Sequence, residues 1–240
     1  MSKQEKTSVS ALTLAIIAGT LLLSGYLFSK APITIEENKA IAENTEPAAG
    51  TTAPSNGLDL DAALSIRAVG NPDAPIRIDE YFSLSCGHCK HFHVDTYKDL
   101  KKKYIDTGKV YFVFNDYPLN APALMGAKIS RCLPENRYEK FISLLFSTQD
   151  SWAFAPDYAL KLEQNARLAG LNKETFEQCK SSKKLDLALS TRMQEANKKH
   201  QISSTPSFVI NNTKVVSGGH TLSAFEKAFK EMGLEVETTE

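Results

Sequence analysis

The sequence has no surplus of charge of either sign, since its 240 residues contain 28 lysine and arginine residues and 28 aspartate and glutamate residues. Proteins that bind nucleic acid usually present a basic surface with aromatic residues that stack on bases. The two lysine runs, at 101–103 and 198–199, lack interleaved aromatic residues and are interpreted as solvated helix faces or helix ends. No internal repeat is visible either. The composition therefore argues against nucleic acid as a partner and against a repeat array.

Charge is completely absent from Ser8 to Phe28, a stretch about long enough to span a bilayer as a helix. Lys3 and Lys6 precede it, and positive residues on the short leading side keep that side in the cytoplasm. We therefore expect residues 1–30 to be a signal peptide or an uncleaved N-terminal membrane anchor. The rest of the chain would then face an oxidising compartment, most simply a bacterial periplasm. A buried core helix is the alternative.

Aromatic residues are absent from the next segment, Ala31 to Asn56, which is rich in alanine, glutamate, threonine, proline and asparagine. Such a segment cannot bury enough apolar surface to fold alone. We predict a flexible, disordered linker over residues 31–57 and one folded domain over residues 58–240.

Cysteine is scarce, yet two of the four cysteines stand in the tetrapeptide Cys86-Gly87-His88-Cys89. The tetrapeptide follows the alternating run Ile76 to Phe82, which predicts a strand, and it opens a predicted helix. The N–H groups and the dipole at a helix N-terminus stabilise a thiolate, so Cys86 is the predicted nucleophile. Cys89, one turn further and more buried, is the predicted resolving thiol. The pair predicts thiol–disulfide exchange with no cofactor beyond its own redox-active disulfide.

The two residues between the cysteines are expected to serve the same chemistry. Gly87 leaves room for a substrate chain, and His88 can place an imidazole near the Cys86 sulfur. Stabilising the thiolate makes a dithiol more oxidising, as in protein disulfide isomerase at roughly −180 mV against thioredoxin at roughly −270 mV. An oxidase or isomerase is therefore expected in preference to a reductase.

Three other uses of the cysteine pair compete with this interpretation. Attachment of a c-type haem needs a histidine directly after the second cysteine, where this chain has Lys90. A zinc site or a metal-binding chaperone would recruit His91 and His93, which point to different faces of a helix. An inert structural pair is the third. We predict no metal site.

A second element lies far downstream, where Thr205-Pro206 opens an apolar run that ends at Ile210. Proline has no N–H for a sheet hydrogen bond, so it must stand at the start or edge of a strand, and its bond to Thr205 can be cis. Beside a dithiol, such a loop turns backbone outward to pair with an extended substrate peptide. Thr205, Pro206 and Gly87 are therefore the predicted substrate-binding residues.

The order of strand, Cys86-Gly87-His88-Cys89, long helix, helical insertion and Thr205-Pro206 resembles the DsbA-like branch of the thioredoxin superfamily over roughly residues 58–234. The run Gly70 to Ile76 resembles the entry to the central strand in that family. The resemblance implies an α/β thioredoxin fold with an inserted helical subdomain at about 121–199, preceded by the N-terminal hydrophobic segment and the disordered linker.

The same resemblance implies a periplasmic enzyme that introduces disulfide bonds into unfolded or reduced exported proteins and is reoxidised by a membrane thiol oxidase. A disulfide isomerase, or a reductase such as one for cytochrome maturation, is the alternative. No dimerisation module is visible, so we expect a monomer.

Glu80, six residues before the first cysteine, matches the buried strand acid of that family. A carboxylate there can relay a proton when Cys89 must become a thiolate. The alternatives are that Glu80 lies on a solvated strand edge, or that Asp79 on the opposite face is the acid. The chain departs from relatives that carry proline after the first cysteine, where it has Gly87, and from those with valine in place of Thr205.

Helices are predicted from Ala121 to about Lys199, with breaks near Pro134, Pro156 and Gly170. This insertion carries the other two cysteines, Cys132 and Cys179. We predict a structural disulfide between them, since two leftover thiols in an oxidising compartment are expected to pair, and it would stabilise the protein by roughly 4 kcal/mol in the chain-entropy model. The alternative is two buried unpaired thiols.

The other predicted elements are the strands Ser65–Val69, Val110–Phe114, Phe208–Ile210 and Lys214–Val216, the active-site helix Cys86–Thr107 and a last helix Leu222–Met232. Large apolar side chains of the insertion are expected to form its core, or in part to line a substrate groove. They are Phe141, Leu144, Leu145, Phe146, Trp152 and Phe154.

Overall fold

The computed structural model of the protein describes residues 58–218 and 221–234. The predicted hydrophobic segment (8–28) and linker (31–57) lie outside the described residues. Among the residues that are described, no helix combines the length and the apolar character needed to cross a membrane.

A five-stranded mixed sheet forms the centre of the described part, with the strand order β1-β3-β2-β4-β5. The strands β2 and β3 are parallel, and the other neighbouring pairs are antiparallel. Their bounds are β1 Arg67–Val69, β2 Ile76–Phe82, β3 Val110–Asp116, β4 Ser207–Ile210 and β5 Lys214–Ser217. The predicted thioredoxin fold with its central strand Ile76–Phe82 is confirmed.

Helices flank the sheet and fill the long connection between β3 and β4. The bounds are α1 Leu60–Leu64, α2 Gly87–His91, α3 Tyr97–Leu100, α4 Ala121–Arg131, α5 Glu135–Ser147, α6 Gln149–Trp152, α7 Tyr158–Leu168, α8 Lys173–Ser181, α9 Lys183–His200 and α10 Leu222–Glu231. Two π-helical turns, Phe92–Thr96 and Lys101–Ile105, adjoin α3. The active-site helix is therefore interrupted twice, where the sequence predicted a uniform helix from residue 86 to 107.

The alternation along β2 decides which side chains face the dithiol. Ile76, Ile78, Glu80 and Phe82 are buried on one face of the strand, whereas the residues between them are exposed or half-buried. The buried face packs against a cluster of aromatic rings that includes Phe92 of the first π-turn. This alternation brings the face of β2 that carries Glu80 under the active-site helix.

Several predicted boundaries differ from the structure for local reasons. The first strand begins at Arg67, because Ser65 ends α1 by hydrogen bonding to the Ala62 carbonyl. The insertion has two further breaks, at Thr148 and at Ser182, whose hydroxyl accepts the Leu185 N–H and starts α9.

The predicted core of the insertion is mostly buried, with one exception. Phe154 is 65% exposed and is not a core residue, because it lies in the turn after α6. The fully buried members are Phe141, Leu145, Phe146 and Trp152, with Leu144 half-buried against them.

Cys132 and Cys179 are bonded to each other, with an S–S distance of 2.01 Å. The bond joins the end of α4 to α8, which are 47 residues apart in sequence at these cysteines. Neither thiol of the insertion is therefore free.

Candidate active site

The loop after β2 delivers Cys86 to the N-terminus of α2. Cys86 is the residue that caps this helix, with an extended backbone (φ −86°, ψ 122°), and its carbonyl accepts the N–H of Lys90. Among the residues described, no side chain forms a cap hydrogen bond with the first N–H groups of this helix. The N–H groups of His88 and Cys89 instead point at the Cys86 sulfur.

The surroundings of Cys86 favour its thiolate. A hydrogen bond from the Cys89 thiol is the largest influence, and with the Thr205 hydroxyl and the two backbone N–H groups it lowers the pKa of Cys86 to about 5. Partial burial opposes this effect but is outweighed. At neutral pH this sulfur is therefore ionised, as a nucleophilic cysteine requires.

The surroundings of Cys89 favour its protonated thiol, although Cys89 lies only one helical turn from Cys86. Its side chain is completely buried, and burial is the largest cause that raises the pKa of this thiol far above its ordinary value. The hydrogen bond to Cys86 and the negative charge of Glu80 act in the same direction. The pair is thus divided into a thiolate at the surface and a thiol that holds its proton in the interior.

The cis-proline loop lies directly against the nucleophile. The Thr205–Pro206 peptide bond is cis, and the Cys86 Sγ lies 3.2 Å from the Thr205 carbonyl oxygen, to which the thiol can donate. The Thr205 hydroxyl is buried and close enough to lower the pKa of Cys86, but it has no partner within ordinary hydrogen-bond geometry in the described part of the chain. Thr205 therefore contacts the reacting sulfur through both its side chain and its backbone.

The two residues between the cysteines are exposed at the surface. A Cβ atom added at Gly87 would meet no heavy atom within 4 Å, so this position is open to an approaching chain. The His88 imidazole has no hydrogen bond or ion pair within the described ranges, and only its backbone N–H reaches Cys86. The predicted contact between this imidazole and the sulfur is therefore not seen in the dithiol form, in which both active-site cysteines are unbonded.

Glu80 is completely buried, so it does not lie on a solvated strand edge. Its two carboxylate oxygens are each 3.0 Å from Nε2 of His93, which is itself buried in the first π-turn. Asp79, on the other face of β2, pairs with Arg77 at 2.7 Å. Glu80 is the acid that faces the dithiol.

The histidines after the tetrapeptide do not converge on the cysteines. His91 is exposed and its Nδ1 lies 3.4 Å from Asp95, whereas His93 points inward to Glu80. Within the residues described, no cluster of three or more metal-ligating side chains is found.

Gln149 of α6 was not a predicted site residue, yet it supports the active-site loop. Its buried side-chain amide donates to the carbonyl oxygens of Leu84 (2.9 Å) and Cys86 (3.0 Å). The next residue, Asp150, pairs with Lys90 at 2.5 Å. The insertion therefore holds the loop in place, although no local sequence signal connects residues that are 63 positions apart.

Comparison with known proteins agrees with this architecture. The family model described as thioredoxin matches residues 64–231. A protein of Rickettsia conorii with the provisional name protein-disulfide oxidoreductase is 30% identical over 168 residues, which are 68% of this chain and 60% of the relative. The chain thus spans about three-fifths of the length of this curated relative.

Solved structures show the same fold. The alpha-DsbA1 protein of Wolbachia pipientis is 31% identical and superimposes with a TM-score of 0.64, covering 70% of this chain and 90% of that one. BdbD from Bacillus subtilis, at 21% identity, has a TM-score of 0.55 over 73% of this chain and 95% of its own. The chain belongs to the DsbA-like branch of the thioredoxin superfamily of oxidoreductases.

Proposed function

We propose that the protein is a thiol:disulfide oxidoreductase that introduces disulfide bonds into exported proteins through Cys86 and Cys89. The proposal depends mainly on the opposite pKa shifts of the two thiols. The pKa of Cys86 is lowered to about 5, and that of Cys89 is raised far above its ordinary value. A stabilised thiolate favours the reduced form, and a dithiol with a stabilised reduced form is an oxidant.

The reaction proceeds by two displacements at sulfur. A substrate thiolate attacks Cys86 in the Cys86–Cys89 disulfide, which forms a mixed disulfide and releases the Cys89 sulfur. A second substrate thiolate then attacks the first substrate sulfur, which forms the substrate disulfide and releases Cys86 as a thiolate. The substrate loses two electrons and the protein gains them. No other redox group is needed, because the electrons reside in the cysteine pair.

Each predicted site residue has a place in this scheme. The open surface at Gly87 and His88 admits the substrate chain, and the Thr205–Pro206 loop lies beside the sulfur that the chain must reach. Glu80 exchanges a proton with Cys89, whose sulfur leaves as a thiolate and is then reprotonated. The Cys132–Cys179 bond stabilises the insertion that supports the loop.

The substrates and the location belong to the same proposal. The uncharged segment 8–28 supports export to a periplasm, by a cleaved signal or by an anchor. A monomer there would take electrons from reduced exported proteins and pass them to a membrane thiol oxidase. The provisional name of the Rickettsia conorii relative supports the activity.

The test is stoichiometric oxidation of a reduced, unfolded protein by the oxidised full chain in glutathione buffer, with and without a metal chelator. We expect one substrate disulfide per chain, no effect of the chelator, and loss of activity in Cys86→Ser. In Cys89→Ser we likewise expect loss of the stoichiometric oxidation, because this variant cannot form the Cys86–Cys89 disulfide. Reduction of substrate disulfides under the same conditions would show a reductase, and tight metal binding without exchange would show a metal chaperone.

A further inference from the structure

The contact between Glu80 and His93 gives one ring nitrogen a fixed partner and leaves the other without one. His93 Nε2 lies 3.0 Å from both oxygens of Glu80. The exposed fractions of the two side chains are 1% for His93 and 0% for Glu80. His93 Nδ1 is buried and has no hydrogen-bond partner in the described part of the chain. Its ring stacks on Phe146, with centroids 4.2 Å apart.

This geometry selects one tautomer of the neutral imidazole. A hydrogen on Nδ1 would be buried without an acceptor, and the Nε2 lone pair would face two carboxylate oxygens. A hydrogen on Nε2 is shared between both oxygens. The ring is therefore a donor to Glu80 and is held in place by its aromatic neighbour.

A buried carboxylate needs a hydrogen-bond donor, because a buried polar group without a partner is costly. A hydrogen bond to the charged form of a carboxylate favours that form. We propose that His93 is a positioning residue, whose Nε2–H holds the buried Glu80 carboxylate in the orientation in which it accepts the Cys89 proton. The inference rests on the proposed function and names the residue on which its proton step depends.

The step is balanced when the protein is oxidised. Cys89 Sγ–H gives its proton to Glu80, and the resulting thiolate attacks Cys86 in a mixed disulfide. The Cys86–Cys89 bond forms, the bond from Cys86 to the partner sulfur breaks, and the partner leaves as a thiolate. The reverse sequence returns the proton from Glu80 to Cys89 when a substrate is oxidised.

The two buried tyrosines beside the pair keep their protons in the neutral pH range. The Tyr97 ring of α3 lies beside the His93 ring, tilted against it with the centroids 5.2 Å apart. Burial raises the pKa of Tyr97 well above the ordinary value, as does its partner Glu139 of α5. Burial likewise raises the pKa of Tyr138 of α5. Neither tyrosine can therefore accept the Cys89 proton in place of Glu80.

The experiment separates the two cysteine steps in the full chain. The reduced protein is mixed with excess dithiobis(nitrobenzoate), and release of the coloured thiolate is followed in a stopped-flow instrument from about pH 4 to 9. Attack by Cys86 releases the first equivalent, and attack by Cys89 on the mixed disulfide releases the second. The first phase is an internal control, since it does not use Glu80.

His93→Phe keeps the ring that stacks on Phe146 and removes the donor, whereas His93→Gln keeps an N–H donor at the same reach. We expect the second phase at neutral pH to slow by about tenfold to a hundredfold in His93→Phe, the range for losing a hydrogen bond to a charged group. In His93→Gln the rate should return to within about twofold of the natural protein, and in a Glu80→Gln background His93→Phe should have no further effect.

An unchanged second phase in a folded His93→Phe protein would overturn the inference while leaving the proposed function intact. A slow first phase in the natural protein would instead overturn the proposed function. If His93→Phe does not fold, nitrogen-15 NMR of the His93 ring in the natural protein decides the question. A ring that carries a hydrogen on Nε2 at pH 7 supports the inference, and a ring that carries its only hydrogen on Nδ1 refutes it.

Discussion

The pH dependence of the redox potential is the most direct measure of how far Cys86 differs from an ordinary thiol. Its pKa is lowered from 9.0 to about 5, and that of Cys89 is raised far above the working range. The reduced pair therefore binds one proton between pH 5 and 9, on Cys89, and two below pH 5. The oxidised pair binds none.

At pH 7 the lowered pKa of Cys86 stabilises the reduced form only in proportion to the difference between pH 7 and that pKa. Two pH units, between about 5 and 7, stabilise the reduced form by at most about 2.7 kcal/mol. Because the Cys86 sulfur is partly exposed, solvent screening weakens this stabilisation, and we expect between roughly half and the whole of that value. For a two-electron couple we therefore expect the potential at pH 7 to be about 30–60 mV more oxidising than that of a pair with ordinary thiols.

The assay is equilibration of the protein with reduced and oxidised glutathione at a series of pH values, with the two forms separated after acid quenching and alkylation. Each proton bound on reduction changes the potential of a two-electron couple by about 30 mV per pH unit. The potential should therefore fall by about 60 mV per unit below pH 5 and by about 30 mV per unit between pH 5 and 9. A single slope of about 60 mV up to pH 8 would refute the argument, because it would show that both thiols hold their protons.

Four other results are expected from the same structure. The thiolate of Cys86 stabilises the reduced fold fully above pH 9 and loses this effect as the pH falls through about 5, so the melting temperature of the reduced form should fall relative to that of the oxidised form between pH 8 and 4. Thr205→Val removes a hydroxyl from the sulfur and should raise the pKa of Cys86 by up to about one unit in a thiolate absorbance titration. Gln149→Leu leaves two loop carbonyls without their donor and should lower the free energy of unfolding by about 1–3 kcal/mol in urea, with Gln149→Glu as a matched variant that also lacks the donor. Replacing Cys132 and Cys179 together by alanine should cost about 4 kcal/mol in the same assay while the rate of the first phase with dithiobis(nitrobenzoate) stays unchanged.

The features that could be predicted from the sequence are those with a short-range signal. The alternation from Ile76 to Phe82 gives a strand with one buried face, and the spacing of Cys86 and Cys89 gives two sulfurs one helical turn apart. The pair Asn211-Asn212 gives a turn, since both residues have positive φ angles between β4 and β5. Each of these depends only on backbone geometry within a few residues.

The contacts that Gln149 makes with the active-site loop have no short-range signal in the sequence. Gln149 reaches Leu84 and Cys86 only because the chain folds back through several helices, and its own segment contains no pattern that distinguishes it from a surface glutamine. Its position depends on how α6 packs, and α6 exists because the chain bends at Thr148. Such contacts follow from tertiary packing, which periodicity does not determine.

The contact between Glu80 and His93 depends partly on short-range patterns in the sequence and partly on tertiary packing. Alternation along β2 already places a carboxylate on the face that packs against the active-site helix, where it needs a donor. Residues four apart share one face of a helix, so His93 lies on the same inner face as Cys89. His91 and His93, two residues apart, point in different directions, so their spacing argues against a metal site but does not exclude a contact between His93 and a buried acid. The buried carboxylate of Glu80 needs a hydrogen-bond donor. His93, 13 residues after Glu80 and four after Cys89, is the histidine whose position lets it supply one.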